Sequence, residues 1–512
     1  MHPPEGFVTI LALALIAVLV AMAGGALRLP YAVSLVVAGI AMAPLRLVPE
    51  ARLEPELLLT VLLPPLIFES ALNLRLGLLR ANWKPLTIYA VVGTIVSSLT
   101  VGFAASWLLG LPLGVALVFG ALISSTDPIS VVAVFKQLKV GKRLSLLVEG
   151  ESLLNDGVSV VLYSVLLAAV ASGQPLSFPP ALSKFVVVVA GGVGVGLAVG
   201  LLASRITREF DDPPLEIVLT CLVAWGAFLA AEHVHVSGVI ATVTAGLTVE
   251  TYGMATGMSA TTRLSVNSFW EFAGFLANSM VFLLLGIQES MVNFWGDLPA
   301  IALAFLLVLA GRAVAVYGLA PLVNALGAEV PMPWQHVMVW SGLRGALAVA
   351  LVSGLPAGFP EASRLVHLTY GVVLFSLLLQ GLSMGPVLRF LRIRQAPERL
   401  RQYRVVSSRL RACQAALAEL SSRQAAGVPR PVVERLSQEY RERIAELEEE
   451  METLQVSQRD LFDEQLLELR RLALSCEKAS LVDDMREGVL DEHDMLELAA
   501  RVDEELDRLH HP

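Results

Sequence analysis

Between residues 148 and 163 the chain reads VEGESLLNDGVSVVLY, an apolar stretch carrying Glu149, Glu151, Ser152, Asn155 and Asp156 within two helical turns. Ionisable groups are costly at membrane depth, and where they occur they mark ion or proton paths. On a helix, Ser152 precedes Asn155 and Asp156 by three and four residues, so their oxygens share one face. Glu149 and Glu151 are two apart and cannot both join that face. Glu149 suits the aqueous boundary set by Lys139, Lys142 and Arg143. What remains is an oxygen-rich notch fit for a hard monovalent cation or a proton. A carboxylate holds one or the other, so the two compete, and exposing the site to each side in turn gives antiport.

Other stretches supply groups that suit such a notch. In EPELLLTVLLPPLIFESALNL, Pro64 and Pro65 remove backbone donors and predict a kink just before Glu69. Glu69, with Ser70 and Asn73, either faces the notch or ends its helix at interfacial water. In SSTDPISVV, Pro128 disfavours helix at Asp127, while Ser124, Ser125 and Thr126 can satisfy the freed backbone groups. A helix broken at mid-membrane is how secondary transporters build ion sites. WSGLRGALAVALVSGLP sets Arg344 among Gly342, Gly345 and Gly354, a second interruptible helix. Arg344 and Arg312 each call for an acidic partner among Glu69, Asp127, Glu149, Glu151 and Asp156.

The elements that position these groups are membrane helices. The chain has 512 residues, 55% hydrophobic and 16% charged, with repeated apolar runs of membrane-spanning length. The expected fold is an all-α polytopic membrane protein of about 13 transmembrane helices, plus a helical tail. The expected spans are roughly 7–27, 30–48, 54–73, 85–109, 112–135, 144–171, 181–205, 215–233, 236–252, 265–287, 298–326, 333–355 and 365–388. No Lys or Arg precedes Phe7, so the first span reads as uncleaved. With the N-terminus outside, the inner loops hold eleven Lys and Arg and the outer loops four. That imbalance predicts a cytoplasmic C-terminal tail behind Arg389, Arg392 and Arg394. The fifth and twelfth spans, each interrupted, look like matching broken helices of two repeats.

Several other patterns read as structure. Gly192, Gly196 and Gly200 recur every four residues and predict close helix packing, because no strand-turn-helix context supports a nucleotide loop. Glu232, His233 and His235 fall at a turn, where the two imidazoles diverge, and no metal site is expected there. Asn278 reads as an amide joining helices. Cys221, Cys413 and Cys476 have neither metal-ligand nor disulfide spacing.

The whole net charge of −9 belongs to residues 396–512, with 17 Lys and Arg against 26 Asp and Glu; residues 1–395 carry 20 of each. An acidic tail argues against nucleic acid or anionic lipid as its partner. Tyr440, Ile444, Leu447, Met451, Leu454 and Leu461 follow four- and three-residue steps, interrupted by Gln458. This seam predicts either a coiled coil or the face of a small helical bundle. The expected division is therefore a transmembrane unit, 1–395, and a regulatory or dimer-supporting tail, 396–512, whose ligand or protein partner is unspecified.

LLPPLIFES, SSTDPISVVAVFK, GESLLNDGVSVVLY and GLRGALAVAL, in this order, resemble the NhaP-type and eukaryotic-type sodium/proton exchangers over roughly residues 7–394. The resemblance implies a plasma-membrane homodimer, each protomer with a dimerisation domain and a six-helix core of inverted repeats with two crossed broken helices. It implies that Asp156 carries cation and proton in turn, and that Glu69, Ser152 and the backbone near Thr126 complete a Na+ shell. Asp127 and Asn155 would shape the site, and Glu151 would pair with Arg344. Electrogenic relatives have two adjacent aspartates where this chain has Asn155-Asp156, so the expected exchange is electroneutral, one cation per proton. No nucleotide motif or cofactor is expected. K+/H+ exchange and, in a different class, a gated cation channel are the alternatives, with a tail-based membrane sensor a third.

Overall fold

In a computed structural model, the described residues are 5–27, 31–43, 58–74, 76–172, 178–209, 211–254, 257–289, 294–356, 358–393, 398–425 and 430–453, with isolated positions beyond. Two units are separated between Ile393 and Arg394. Expectations for Arg28, Arg46, Arg52, Arg75, Arg394, Leu454, Gln458, Leu461 and Cys476 fall outside the described residues.

The described part of the first unit is helical throughout. In chain order it contains α1 (Glu5–Leu27), α2 (Tyr31–Met42), α3 (Leu58–Asn73) and α4 (Trp83–Leu108). The fifth helix is split into α5a (Leu113–Ile123) and α5b (Ile129–Gln137). Then come α6 (Lys142–Ser172), α7 (Phe178–Thr207), α8 (Pro213–His233), α9 (Gly238–Thr248) and α10 (Ala260–Glu289). After α11 (Phe294–Ala325) the twelfth is again split, into α12a (Met332–Trp340) and α12b (Ala346–Ser353), and α13 (Ala362–Phe390) follows. Among the described residues, seven helices are long and apolar enough to cross a membrane by themselves, α6 and α11 among them. Split helices fall short of that length because the chain is extended or turning between their halves. The outward faces of α7 and α8 expose Val186, Val187, Leu202 and Leu222. Such a surface is stable in hydrocarbon, where each helix satisfies its own backbone, and the chain is a multi-pass membrane protein.

Local sequence accounts for the irregularities. The break between α5a and α5b spans residues 124–128, at SSTDP, and that between α12a and α12b spans 341–345, at SGLRG. Pro64 and Pro65 do not break α3. A π-helical turn, Leu58–Leu62, precedes them, and they occupy the first turn of the α-helical part that starts at Leu63. A proline is tolerated there because first-turn N–H groups lack helical partners anyway.

Two apolar clusters organise the unit. The larger includes Phe119, Leu122, Leu147, Val349 and Val372. The smaller joins α3, α8, α9 and α10 through Phe68, Ala227, Ala245 and Trp270. Trp270 is buried, and its indole N–H donates to Thr220 Oγ1 at 3.0 Å, so its polar edge is satisfied. Along α7, Gly192, Gly196 and Gly200 face α9, and a Cβ at Gly196 would overlap the carbonyl oxygen of Ala241. The four-residue glycine step is thus a packing stripe.

Between α8 and α9 the chain turns, with His235 in the left-handed region (φ 59°) and Glu232 Oε1 accepting from Gly238 N at 3.3 Å. Among the described residues no three His, Cys, Asp or Glu side chains are grouped to hold a metal ion.

The second unit contains α14 (Glu398–Ala425) and α15 (Arg430–Thr453). Leu447 with Ile444 and Met451 on α15 packs against Val406, Leu410 and Cys413 on α14. The described residues of the seam thus pack against α14 of the same chain.

Candidate functional site

The two breaks meet. Asp127 N donates to Leu343 O at 2.7 Å, joining the backbone of one interruption to the other. Gly345 is required at this crossing, since a Cβ there would overlap the Asp127 side chain. Asp127 Oδ1 accepts from Ile129 N at 2.9 Å, a local bond at the start of α5b. Its carboxylate is therefore part of the joint.

α6 runs beside this joint and is stapled to it. Asn155 Oδ1 accepts from Thr126 N at 3.3 Å, and its Nδ2 donates to Thr126 Oγ1 at 2.7 Å. Ser152 Oγ donates to Thr126 O, and Thr126 Oγ1 lies 3.3 Å from Ser152 Oγ. These bonds hold the freed backbone of the break against α6. Ser125 Oγ donates to Asp156 Oδ1 at 2.6 Å, a contact the sequence reading did not assign. Ser152, Asn155 and Asp156 thus share one face of α6, as their spacing requires.

Each half-helix end is matched by an arginine. Arg344, 1% exposed, donates from Nη1 to Ser124 O at 2.8 Å and to Ser125 O at 3.0 Å, just past the C-terminus of α5a. Arg312, 7% exposed, donates to Met338 O at 3.2 Å and 3.1 Å, in the last turn of α12a. A cation at a helix C-terminus meets unsatisfied carbonyls and the negative end of the helix dipole.

Glu151, 1% exposed, pairs with Arg312 rather than with the expected Arg344. Both carboxylate oxygens are engaged, with Arg312 Nη2 to Oε2 at 2.8 Å and Nη1 to Oε1 completing a fork. The reason is positional. Arg344 is turned into the carbonyls of the α5a end, whereas Arg312 reaches across from α11 to α6. Sequence alone requires an acidic partner for each arginine and does not reveal that Arg344 Nη1 is directed at backbone carbonyls.

A cavity of about 500 Å³ lies against this assembly. Asp156, Ser152, Ser125, Thr126 and Asp127 line one side of the site, and Glu69, Ser70 and Asn73 from α3 also line the cavity. Glu69 therefore faces the same space as Asp156, and its Oε1 accepts from Asn73 Nδ2 at 2.7 Å. Lys136 and Glu149 line it as well, with Glu149 Oε1 accepting from Ser145 Oγ at 2.9 Å. Asn278 on α10 also lines the cavity, and its Oδ1 has no hydrogen-bond partner. The helix-joining role expected for that amide is absent at its oxygen. The hydroxyls of Ser152 and Thr126 with the carboxylates of Asp156 and Glu69 form a donor set for a hard cation, while a carboxylate such as Asp156 also takes a proton.

Comparison with known proteins finds transporters. The family model described as sodium/hydrogen exchanger, transmembrane, matches residues 11–390. The low-affinity Na+/H+ antiporter NhaS1 of Synechocystis sp. is 38% identical over 401 residues, covering 77% of this chain and 75% of that protein. The Na+/H+ antiporter NhaG of Bacillus atrophaeus is 34% identical over 497 residues, 94% of each chain, so that match extends well into the acidic tail. The structure of the sodium proton antiporter MjNhaP1 from Methanocaldococcus jannaschii superposes with a TM-score of 0.64 at 19% identity, covering 76% of this chain and all of that one, and so shares its fold. On the strength of the family match and these relatives, the chain belongs to the sodium/hydrogen exchanger family.

Proposed function

We propose that the chain exchanges one Na+ for one proton across the plasma membrane, with Asp156 as the group both ions occupy. The observation that carries this reading is the convergence of Asp156, Ser152, Thr126 and Glu69 on one cavity where two broken helices meet. A proton on Asp156 neutralises it. When the proton leaves, the carboxylate with the oxygens of Ser152, Thr126 and Glu69 replaces the hydration shell of a sodium ion. The empty anion crosses poorly, because an uncompensated charge is costly in a low-dielectric barrier. Only loaded forms exchange sides, which couples the two fluxes.

The one-for-one stoichiometry rests on charge accounting. Glu151 is matched by Arg312, Asn155 is an uncharged amide, and Asp127 is bonded within the joint. Glu69 is held by Asn73 and keeps one charge state while Asp156 changes occupancy. A positive-inside distribution of loop charges supports an outside N-terminus, a cytoplasmic tail, and a cavity opening to the cytoplasm past Lys136 and Glu149. The protein works as a homodimer, no cofactor takes part besides the transported ions, and the tail adjusts the rate through a ligand or protein partner.

Proteoliposomes with an internal pH dye test this reading. Sodium added outside is expected to drive proton movement, at a rate indifferent to an imposed potassium-diffusion potential. Potassium and lithium are separate arms of the same assay. No proton response to any cation refutes antiport, and rates that follow the sign of the potential refute the single-carboxylate stoichiometry.

A further inference from the structure

The cavity wall contains an amide that the reading above does not use. Asn278 sits on α10, is 4% exposed, and lines the same cavity as Asp156 and Glu69. Its Oδ1 is buried without a hydrogen-bond donor. Buried carbonyl oxygens are almost always bonded, and an orphaned one calls for an explanation such as an ion or water.

The oxygen of Asn278 joins no helices, and neighbouring residues perform that task. The adjoining residue, Ser279, bonds Tyr31 of α2 at 2.6 Å, and Tyr31 stacks on Phe275 at 5.0 Å. Docking of α10 to α2 is therefore achieved by Ser279 and Phe275. Gly274, four residues before Asn278 and so on the same helix face, approaches Glu69 so closely that a Cβ would lie 3.2 Å from its side chain. Asn278 thus lies on the α10 face that approaches Glu69, in the cavity that Asp156 also lines.

We propose that Asn278 Oδ1 is a neutral ligand of the transported cation, contributed by α10 to the cavity that Asp156 lines. This inference rests on the assignment of the cavity as the cation site. An amide oxygen coordinates a hard cation but does not accept a proton near neutral pH. Asn278 therefore favours the cation in its competition with the proton and leaves proton binding to the Asp156 carboxylate. It acts as a selectivity residue between the two substrates.

The test compares Asn278→Leu, which keeps the volume and removes the oxygen, with Asn278→Asp, which keeps an oxygen at the same reach. Two readouts are taken on the full chain: the KM for Na+ across a pH series in proteoliposomes, and the Na+ concentration that half-saturates thermal stabilisation of the purified protein. For Asn278→Leu the KM is expected to rise about tenfold, equivalent to ~1.4 kcal/mol, and by more than Vmax falls. The rise is parallel at every pH, so the proton-linked inflection stays in place, and the half-saturating Na+ rises equally. Asn278→Asp is expected to restore Na+ stabilisation. Wild-type KM and wild-type half-saturation in Asn278→Leu would overturn the proposal and leave the amide a water or packing site. So would a loss of melting temperature in both variants with Na+ half-saturation unchanged. Asp156→Asn, run beside them, separates the two levels: if it still exchanges, the site assignment itself fails, whatever Asn278 does.

Discussion

Replacing Glu151 by Gln keeps the shape of the side chain and removes its charge. The structure sets the size of the effect. Arg312 is 7% exposed and Glu151 1% exposed, so solvent does little to screen the pair. Two charge-assisted bonds join them, each worth about 1.5–3 kcal/mol where the partner charge stays behind. Met338 O still accepts from Arg312 in the variant, but a carbonyl does not neutralise a guanidinium. The sum agrees with the roughly 3–5 kcal/mol measured when one member of a buried pair is removed. Arg312→Met removes the other member together with the bonds to Met338 O at the end of α12a, at similar cost. The double variant is expected to cost well under the total of the singles, a coupling of about 3 kcal/mol. The parallel cycle between Glu151 and Arg344, which share no hydrogen bond, is expected to give about 1 kcal/mol or less. Thermal unfolding followed by fluorescence size-exclusion, with denaturant titration for the free energies, supplies both cycles. Equal coupling in the two cycles, or none between Glu151 and Arg312, refutes the assignment.

Asp156→Asn should abolish cation-driven proton flux while monodispersity and melting temperature stay near wild type, because Ser125 can still donate to the amide oxygen; near-normal flux contradicts the carrier role. Gly345→Ala places a methyl group on Asp127 and should cost about 1–3 kcal/mol of stability through overpacking, read by the same thermal assay. Asp211 lies in the loop between α7 and α8, where Thr262 Oγ1 donates to it at 2.7 Å and Ser259 N at 3.3 Å, holding its carboxyl below the ordinary range. Its contribution is present above the unfolded value of about 4 and is lost as pH falls through the lower folded value. Amides near Ser259 should therefore exchange faster at low pH than at neutral pH, relative to an Asp211→Asn control. Truncation after Arg394 should leave exchange intact and alter its pH dependence or the dimer's stability, since every site residue precedes it; a folded but inert truncation contradicts that.

Much of the site was legible because membrane depth makes polar residues conspicuous. The notch on α6 follows from helical spacing alone, and the break at SSTDP follows from Pro128 and the hydroxyls before it. The crossing of the breaks was expected through family resemblance, because no local pattern specifies that Leu343 O receives Asp127 N. Arg312 was flagged as needing an acid, but choosing its partner required three-dimensional knowledge of which carbonyls Arg344 faces. Ser125 was read only as a backbone-satisfying hydroxyl; its place beside Asp156 depends on how the break turns. Asn278 reads as helix-joining because isolated amides in apolar helices commonly bridge helices, and nothing in the sequence marks its oxygen as unpartnered. That Pro64 and Pro65 fall in the first turn of an α-helical part was not legible, because the π-helical turn before them has no sequence signature.

The staples around Thr126 have a mechanical consequence. Asp156 is bonded to Ser125, Thr126 to Ser152 and Asn155, Asp127 to Leu343, and Arg344 back to Ser124 and Ser125. Six polar links make the carboxylate and both interruptions one stiff block, with little freedom for the carboxylate to swing alone. Glu69 and Asn278 stand outside that block, on helices tied to each other by Gly274 against Glu69. Whatever displacement shifts the site between the two faces of the membrane must therefore carry α6 and both broken helices together past α3 and α10. Spin labels placed within the block should keep one separation throughout the cycle, and labels spanning the cavity should not.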